Sequence, residues 1–217
     1  MDNGESYYCN NSVTDSFVGI ETTVTTLSWA LLLMARHPEV QQRVRDEIRA
    51  HLGDSQRPTL ATDREAMRFT EAVVCEVHRY ASVVPVSMWH RAVRETRVRQ
   101  FAVPADALVV SNLYAVHRQP DLWPDPEHFN PEANFLAAAA DGSLRLKNVD
   151  FLVPFGVGRR QCIGEAQAKQ ELWTLFVGLL QRFRIETAPG EPLPSDAAAS
   201  GGTIRAPPQY RVLFVRQ

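Results

Sequence analysis

Apolar residues crowd most sides of a helical pattern from about Val13 to Arg36, which predicts a helix buried on nearly every face. His37-Pro38 ends it, because proline pushes the preceding residue out of the helical region. Pro38 then suits the first turn of a second helix running to Leu52. Val40, Val44, Ile48 and Leu52 recur at every fourth position, and Gly53 stops the helix. Thr62-Asp-Arg-Glu65 has the capping-box pattern of a short helix start. Another helix is predicted from about Thr70 to Tyr80, while residues 1–12 are polar and turn-prone.

The middle of the chain changes period. Ser87 to Arg94 and Thr96 to Val103 read as strands, Pro104-Ala105-Asp106 as a turn, and Leu108 to Ser111 as the return strand. Residues 119–154 are irregular and proline-rich, yet they carry Trp123, Phe129, Phe135 and Phe151, the pattern of a packed loop. Helical periodicity returns from about Ile163 to Phe183. A loop rich in Pro, Gly and Ala follows, and a final strand is predicted from Tyr210 to Arg216. The expected fold class is mainly α with small β-sheets.

Length and composition narrow the classes. A chain of 217 residues with 45% hydrophobic and 22% charged residues is an ordinary globular sequence, long enough for one domain or two. A formal net charge of −2 argues against a nucleic-acid partner. Cys9, Cys75 and Cys162 are too far apart for a disulfide framework or a zinc site, which favours a reducing compartment. The longest strongly apolar run, Trp29 to Ala35, falls well short of the ~20 residues that cross a bilayer. The polar start, Met1-Asp-Asn-Gly-Glu-Ser, reads as neither signal peptide nor anchor.

The chemistry concentrates in Phe155-Gly156-Val157-Gly158-Arg159-Arg160-Gln161-Cys162-Ile163-Gly164. One cysteine stands at the mouth of a glycine-rich loop, directly before a helical pattern. Free N–H groups at the helix start and the charge of Arg160 favour the thiolate. The glycines let the backbone turn tightly and approach a flat partner. A thiolate so presented suits the axial position of a haem iron. Two blander readings stand beside this one. Cys162 could be a small buried hydrophobe at a helix start. The glycines could cradle phosphate, although no Lys-Ser/Thr pair follows, and a dinucleotide fingerprint would need a preceding strand and a later acidic residue.

The loop resembles the haem-binding signature of the cytochrome P-450 superfamily, Phe-x-x-Gly-x-Arg-x-Cys-x-Gly, at every fixed position. The resemblance implies haem b with Cys162 as iron ligand, and Phe155, Gly156 and Gly164 lining the cofactor. Glu76-Val-His-Arg79 is similar to the family's Glu-x-x-Arg motif, which implies that Glu76 and Arg79 brace the loop and take no direct part in the chemistry. Val18-Gly19-Ile20-Glu21-Thr22-Thr23 resembles the oxygen-activation motif. The hydroxyl of Thr22 and the carboxylate of Glu21 would relay protons, with Gly19 opening the helix locally. The blander reading has Thr22 and Thr23 bonding back to helix carbonyls.

Further landmarks match in order. Trp89-His90-Arg91 resembles the strand whose arginine pairs with a haem propionate, and Arg160 would hold the other. Asn112 to Arg118, Trp123-Pro-Asp-Pro and Phe129-Asn-Pro resemble the stretch leading into the family's meander. Val84 to Met88 and Gly202-Thr203-Ile204 resemble substrate-facing segments, so Val84, Val86, Thr203 and Ile204 are candidate substrate contacts, or plain core. Several positions depart from the family pattern. Ala133 or Asn134 stands where an arginine usually completes a buried triad with Glu76 and Arg79. Val18 replaces a small residue, and Gln167 an apolar one.

The resemblance runs from about residue 13 to 217 and corresponds to the C-terminal half of the family's catalytic domain, with 1–12 outside it. It implies oxidation of an apolar small molecule with O₂ and electrons from an NADPH-dependent flavoprotein reductase, with cytochrome b5 as a further donor. The parent enzyme would sit on the cytosolic face of the endoplasmic reticulum membrane, and a chain without the anchor would be cytosolic. Two other outcomes remain open: an inactive fragment acting as an interaction module, and a peroxide-rearranging haem protein needing neither O₂ nor reductase.

Overall fold

The computed structural model describes residues 4–53, 56–190, 192–195 and 203–216, with side chains from Gly19 onward. Helix α1 spans Gly4–Arg36 and is followed at once by α2, Pro38–Leu52. The first helix therefore begins well before the Val13 start expected from periodicity. Propagating an existing helix adds one hydrogen bond per residue fixed, so a polar stretch can extend it even where its own pattern reads as turn. Pro38 occupies the first turn of α2, and Gly53 closes it at φ 60°, as the sequence predicts.

A short helix α3, Leu60–Asp63, precedes α4, Arg68–Ala81. The capping box expected at Thr62–Glu65 is not what starts α3. Asp63, buried at the end of the turn, accepts from the Thr59 N–H and from Thr62 Oγ1. The N-terminus of α4 is capped from α2, where the Glu47 carboxylate accepts from Phe69 N (3.0 Å), Thr70 N (2.7 Å) and Thr70 Oγ1 (2.6 Å). A carboxylate there satisfies otherwise unpaired donors and complements the helix dipole.

The two long strands expected between 87 and 103 are shorter and differently folded. Only β1, His90–Arg91, pairs with β4, Leu108–Val109, while Val86 bridges Asn112. Thr96 to Val103 is a hairpin, β2 (Thr96–Val98) against β3 (Phe101–Val103), turning at Arg99 with φ 53°. Beyond them lie the one-turn helices α5 (Leu113–Val116) and α6 (Pro131–Phe135), each capped by the asparagine before it. The antiparallel pair β5 (Leu136–Ala138) and β6 (Leu144–Leu146) gives the stretch expected to be irregular its order.

Helix α7, Glu165–Arg182, runs straight into β7, Phe183–Thr187, which pairs with β8, Val212–Arg216. Strand β7 falls where the sequence suggested loop. Its edge is held by a buried amide: Gln41 Oε1 accepts from Ile185 N (2.7 Å), and its Nε2 donates to Ile185 O (2.9 Å). The protein is thus mainly helical, with small two-stranded antiparallel sheets. Trp29, Leu33, Val44, Trp123, Trp173 and Phe176 anchor a single core contributed by α1, α2, α4, α7 and the proline-rich stretch. Among the described residues, no helix is long and apolar enough to cross a membrane.

Candidate functional site

The cysteine loop hangs between the proline-rich stretch and α7. Gly156 (φ 73°) and Gly158 (φ 78°) take left-handed backbone that other residues adopt only with strain, and a side chain at either would project into open space. Two backbone hydrogen bonds close the loop, Cys162 N to Phe155 O (2.9 Å) and Gly156 N to Val153 O (3.0 Å). Cys162 is exposed, a side chain at Gly164 would lie 3.9 Å from its Sγ, and Ile163 beside it is fully exposed. The blander reading of a buried structural cysteine therefore fails for Cys162. Cys75 comes nearer to it, half-buried against the core, with desolvation pushing its thiol up to about 12 and the Glu71 carboxylate adding to the effect.

Glu76 and Arg79 are fully buried and joined by two parallel bonds, Nε to Oε2 (2.7 Å) and Nη2 to Oε1 (2.8 Å). The remaining guanidinium donors reach the carbonyls of His117 (2.8 Å), Pro126 (2.8 Å) and His128 (2.9 Å). This α4 pair therefore ties α4 to the carbonyls of the proline-rich chain. Such a pair is retained only when its other polar atoms are satisfied, as they are here.

Asn134 occupies the third place. It is fully buried, donating through Nδ2 to Glu76 Oε1 (3.0 Å) and Asp125 O (2.9 Å), while Oδ1 accepts from Asp125 N (3.0 Å). Asn130 N adds a further bond to Glu76 Oε1 (2.7 Å). The carboxylate loses a charge partner relative to the family pattern but keeps its donors.

The other predicted residues are dispersed. Glu21 is exposed on α1, which stays regular α-helix through Gly19, without the local opening expected there. Thr22 Oγ1 donates back to Gly19 O (3.4 Å). Val18 lies outside the described side chains. Arg91 does not stand ready for an anion: its Nε meets Asp106 Oδ1 at 3.1 Å, and both side chains are exposed. Arg160 is exposed in a short 3₁₀ turn, Gly158–Arg160. Val84 and Ile204 pack partly against the core, and Thr203 is exposed. Arg205 N bonds Val83 O (2.8 Å), which sets these two segments side by side. Gln167 is exposed and bonds Glu171 (2.6 Å), so its polarity costs the core nothing.

Sequence reasoning missed the half-buried His78 and the fully buried His117. His78, on α4, sets its ring edge to face against Phe155, with ring centres 5.3 Å apart. Burial, then the Lys169 ammonium, lowers its pKa to about 4. His117 is fully buried and lowered to about 3 by burial and by the Arg79 guanidinium. A lone histidine in a polar-aromatic stretch carries no local signal that both ring nitrogens will be used.

Chemically, the site offers one exposed sulfur donor on a loop closed by backbone hydrogen bonds, with glycine backbone open to a flat ligand and a guanidinium two residues away. These residues fit a haem whose iron takes sulfur from one side. Among the described residues, no group of three or more His, Cys, Asp or Glu side chains gathers as a metal cage.

Comparison with known proteins matches residues 10–214 to the family model described as Cytochrome P450. Cytochrome P450 2D20 of Mesocricetus auratus is 42% identical over 205 residues, 94% of this chain and 40% of that protein. Cytochrome P450 2D14 of Bos taurus is 41% identical over 185 residues, 85% of this chain and 36% of its own length. Cytochrome P450 2D26 of Rattus norvegicus is 43% identical over 184 residues, covering 84% and 36%. The chain thus spans about two fifths of the length of these relatives.

Proposed function

The chain belongs to the cytochrome P450 family, and from that premise we propose that it forms the thiolate side of a haem monooxygenase acting on an apolar small molecule. The observation that carries this reading is the exposure of Cys162 on a loop closed by its own backbone N–H and shaped by two left-handed glycines. When bound, haem b supplies redox chemistry at iron, and the thiolate of Cys162 raises its electron density. The rest of the work falls to the protein. Phe155, Gly156 and Gly164 keep the approach flat. Arg160 binds one propionate, and Arg91 binds the other on release from Asp106, an exposed pair worth at most ~1 kcal/mol.

Glu21 and Thr22 hold protons for delivery from α1, with the Thr22 hydroxyl turning away from the Gly19 carbonyl to do so. Val84, Val86, Thr203 and Ile204 contact substrate, and the adjacency of their two segments supports that role. The reading implies O₂ as oxidant, electrons from an NADPH-dependent flavoprotein reductase or cytochrome b5, and the cytosolic face of the endoplasmic reticulum. Arg159 and Lys169, both exposed near Cys162, would meet an acidic reductase surface.

The test is the carbon monoxide difference spectrum of the reduced chain produced with a haem precursor. A strongly red-shifted Soret band that Cys162→Ser abolishes supports the reading. A blank spectrum, or a band typical of a neutral ligand, overturns it and leaves an inactive interaction module. Turnover that requires the reductase then separates O₂ chemistry from peroxide rearrangement.

A further inference from the structure

We infer that His117 is a positioning residue that fastens the stem of the cysteine loop to the buried Glu76–Arg79 pair through both of its ring nitrogens. The inference rests on the reading of Cys162 as the iron ligand, because that reading is what gives the loop's geometry a purpose.

The bonds define the tautomer. Val153 N–H donates to His117 Nε2 at 3.1 Å, so Nε2 carries no proton. The proton of the neutral ring then sits on Nδ1, which lies 3.0 Å from Ser82 Oγ. Ser82 in turn donates to Arg79 O at 2.7 Å, which leaves its oxygen free to accept from His117. Arg79 Nη1 also donates to His117 O at 2.8 Å. His117 is therefore tied to Arg79 twice, by its carbonyl and through Ser82, and to the loop stem once.

That third tie sits where it matters. Val153 O accepts from Gly156 N, and Phe155 O accepts from Cys162 N. The amide held by His117 thus begins the short run of backbone whose other bonds close the loop around Cys162. Ser82 adopts left-handed backbone at φ 40° at the end of α4 and is buried, so its hydroxyl is held in place. A neutral imidazole carries one donor and one acceptor nitrogen, and burial calls for a partner for each. Here the two nitrogens face two separate segments, and each is used.

Two substitutions separate this role from packing. Glutamine can set its Oε1 where His117 Nε2 lies and still accept from Val153 N–H. Asparagine reaches only the Nδ1 position and leaves Val153 N–H unpartnered. Hydrogen exchange in the 217-residue chain reads the link without haem. For His117→Asn, amides 153–162 should exchange about tenfold faster than in the parent, with α7 unchanged, and for His117→Gln within about threefold of it. Equal behaviour of the two variants, faster exchange in Gln than in Asn, or a uniform rise along the chain would overturn the inference.

A measurement on the parent alone guards against misfolded variants. The ¹⁵N shifts of the His117 ring should report a protonated Nδ1 and a bare Nε2, and the opposite tautomer overturns the link. Where haem is bound, the red-shifted band should weaken more in His117→Asn than in His117→Gln. A parent with no thiolate-ligated haem would refute the role of Cys162, while the exchange order and the tautomer would still decide the link.

Discussion

Asn134 Nδ2 lies 3.0 Å from Glu76 Oε1, in a site where both side chains are fully buried and 58 positions apart in sequence. An uncharged amide thereby completes the bracing of the Glu76–Arg79 pair. Its carbonyl oxygen also accepts the Asp125 amide, which an arginine could not do. The exchange gives up one charge and gains a backbone anchor.

Removing that amide should be costly but not ruinous. Asn134→Ala is expected to lower unfolding stability by about 1–3 kcal/mol, the cost of leaving buried polar atoms unpaired. Asn134→Asp sets a second carboxylate against Glu76 and should cost more than Ala at pH 7, with the gap narrowing towards pH 5. Urea unfolding of the two variants at both pH values measures this, and an Asp variant as stable as Ala at pH 7 contradicts it.

The pair itself should be far more sensitive. Arg79→Leu leaves the Glu76 carboxylate buried without its charge partner and frees three carbonyls, so a loss of about 3–5 kcal/mol is expected. The change would appear as a shifted denaturant midpoint with or without haem.

Acid should destabilise the protein through His78 and His117. Burial holds His78 at about 4 and His117 at about 3, below the ordinary 6.5 of the unfolded chain. Both groups are depressed on folding, so their stabilisation is complete above about pH 6.5 and is lost as pH falls towards 4 and 3. At pH 5 each should have forfeited about 2 kcal/mol. The slope of unfolding free energy between pH 7 and 5 should drop by about half in His78→Gln, and an unchanged slope would refute the assignment.

Thiol chemistry should discriminate Cys162 from Cys75. The exposed Cys162 should react with a maleimide first in the native protein, whereas the half-buried Cys75, its thiol pushed up to about 12, should label more slowly. Mass spectrometry of labelled peptides reads the order, and bound haem should protect Cys162 selectively.

Gly156→Ala should loosen the loop through strain alone. Its φ of 73° penalises any side chain by about 1–2 kcal/mol, although the space around it is open. The expected readout is a small drop in melting temperature with a larger loss of haem affinity, both absent in Gly19→Ala, where the backbone is helical.

Local signals were legible from the chain by itself. The four-residue spacing of α2, its Pro38 start and Gly53 stop, the periodicity of α4 and α7, and the glycines around Cys162 each follow from residues close together in sequence. The same proximity explains where the reading failed. Strand β7 forms because β8 and Gln41 supply its bonds, the latter from 144 positions away. The Thr96–Val103 stretch folds as a hairpin because Arg99 accepts left-handed backbone, for which its residue type gives no warning. Asn134 and His117 gained their roles only when carboxylate, serine and backbone amide met around buried polar atoms that had to be paired. Helix periods, the bounds of α2 and the glycine turns of the cysteine loop were thus determined by consecutive residues. Strand partners, the satisfied carboxylate and the link to the loop stem were decided by tertiary structure, because burial selects hydrogen-bond partners by position in space.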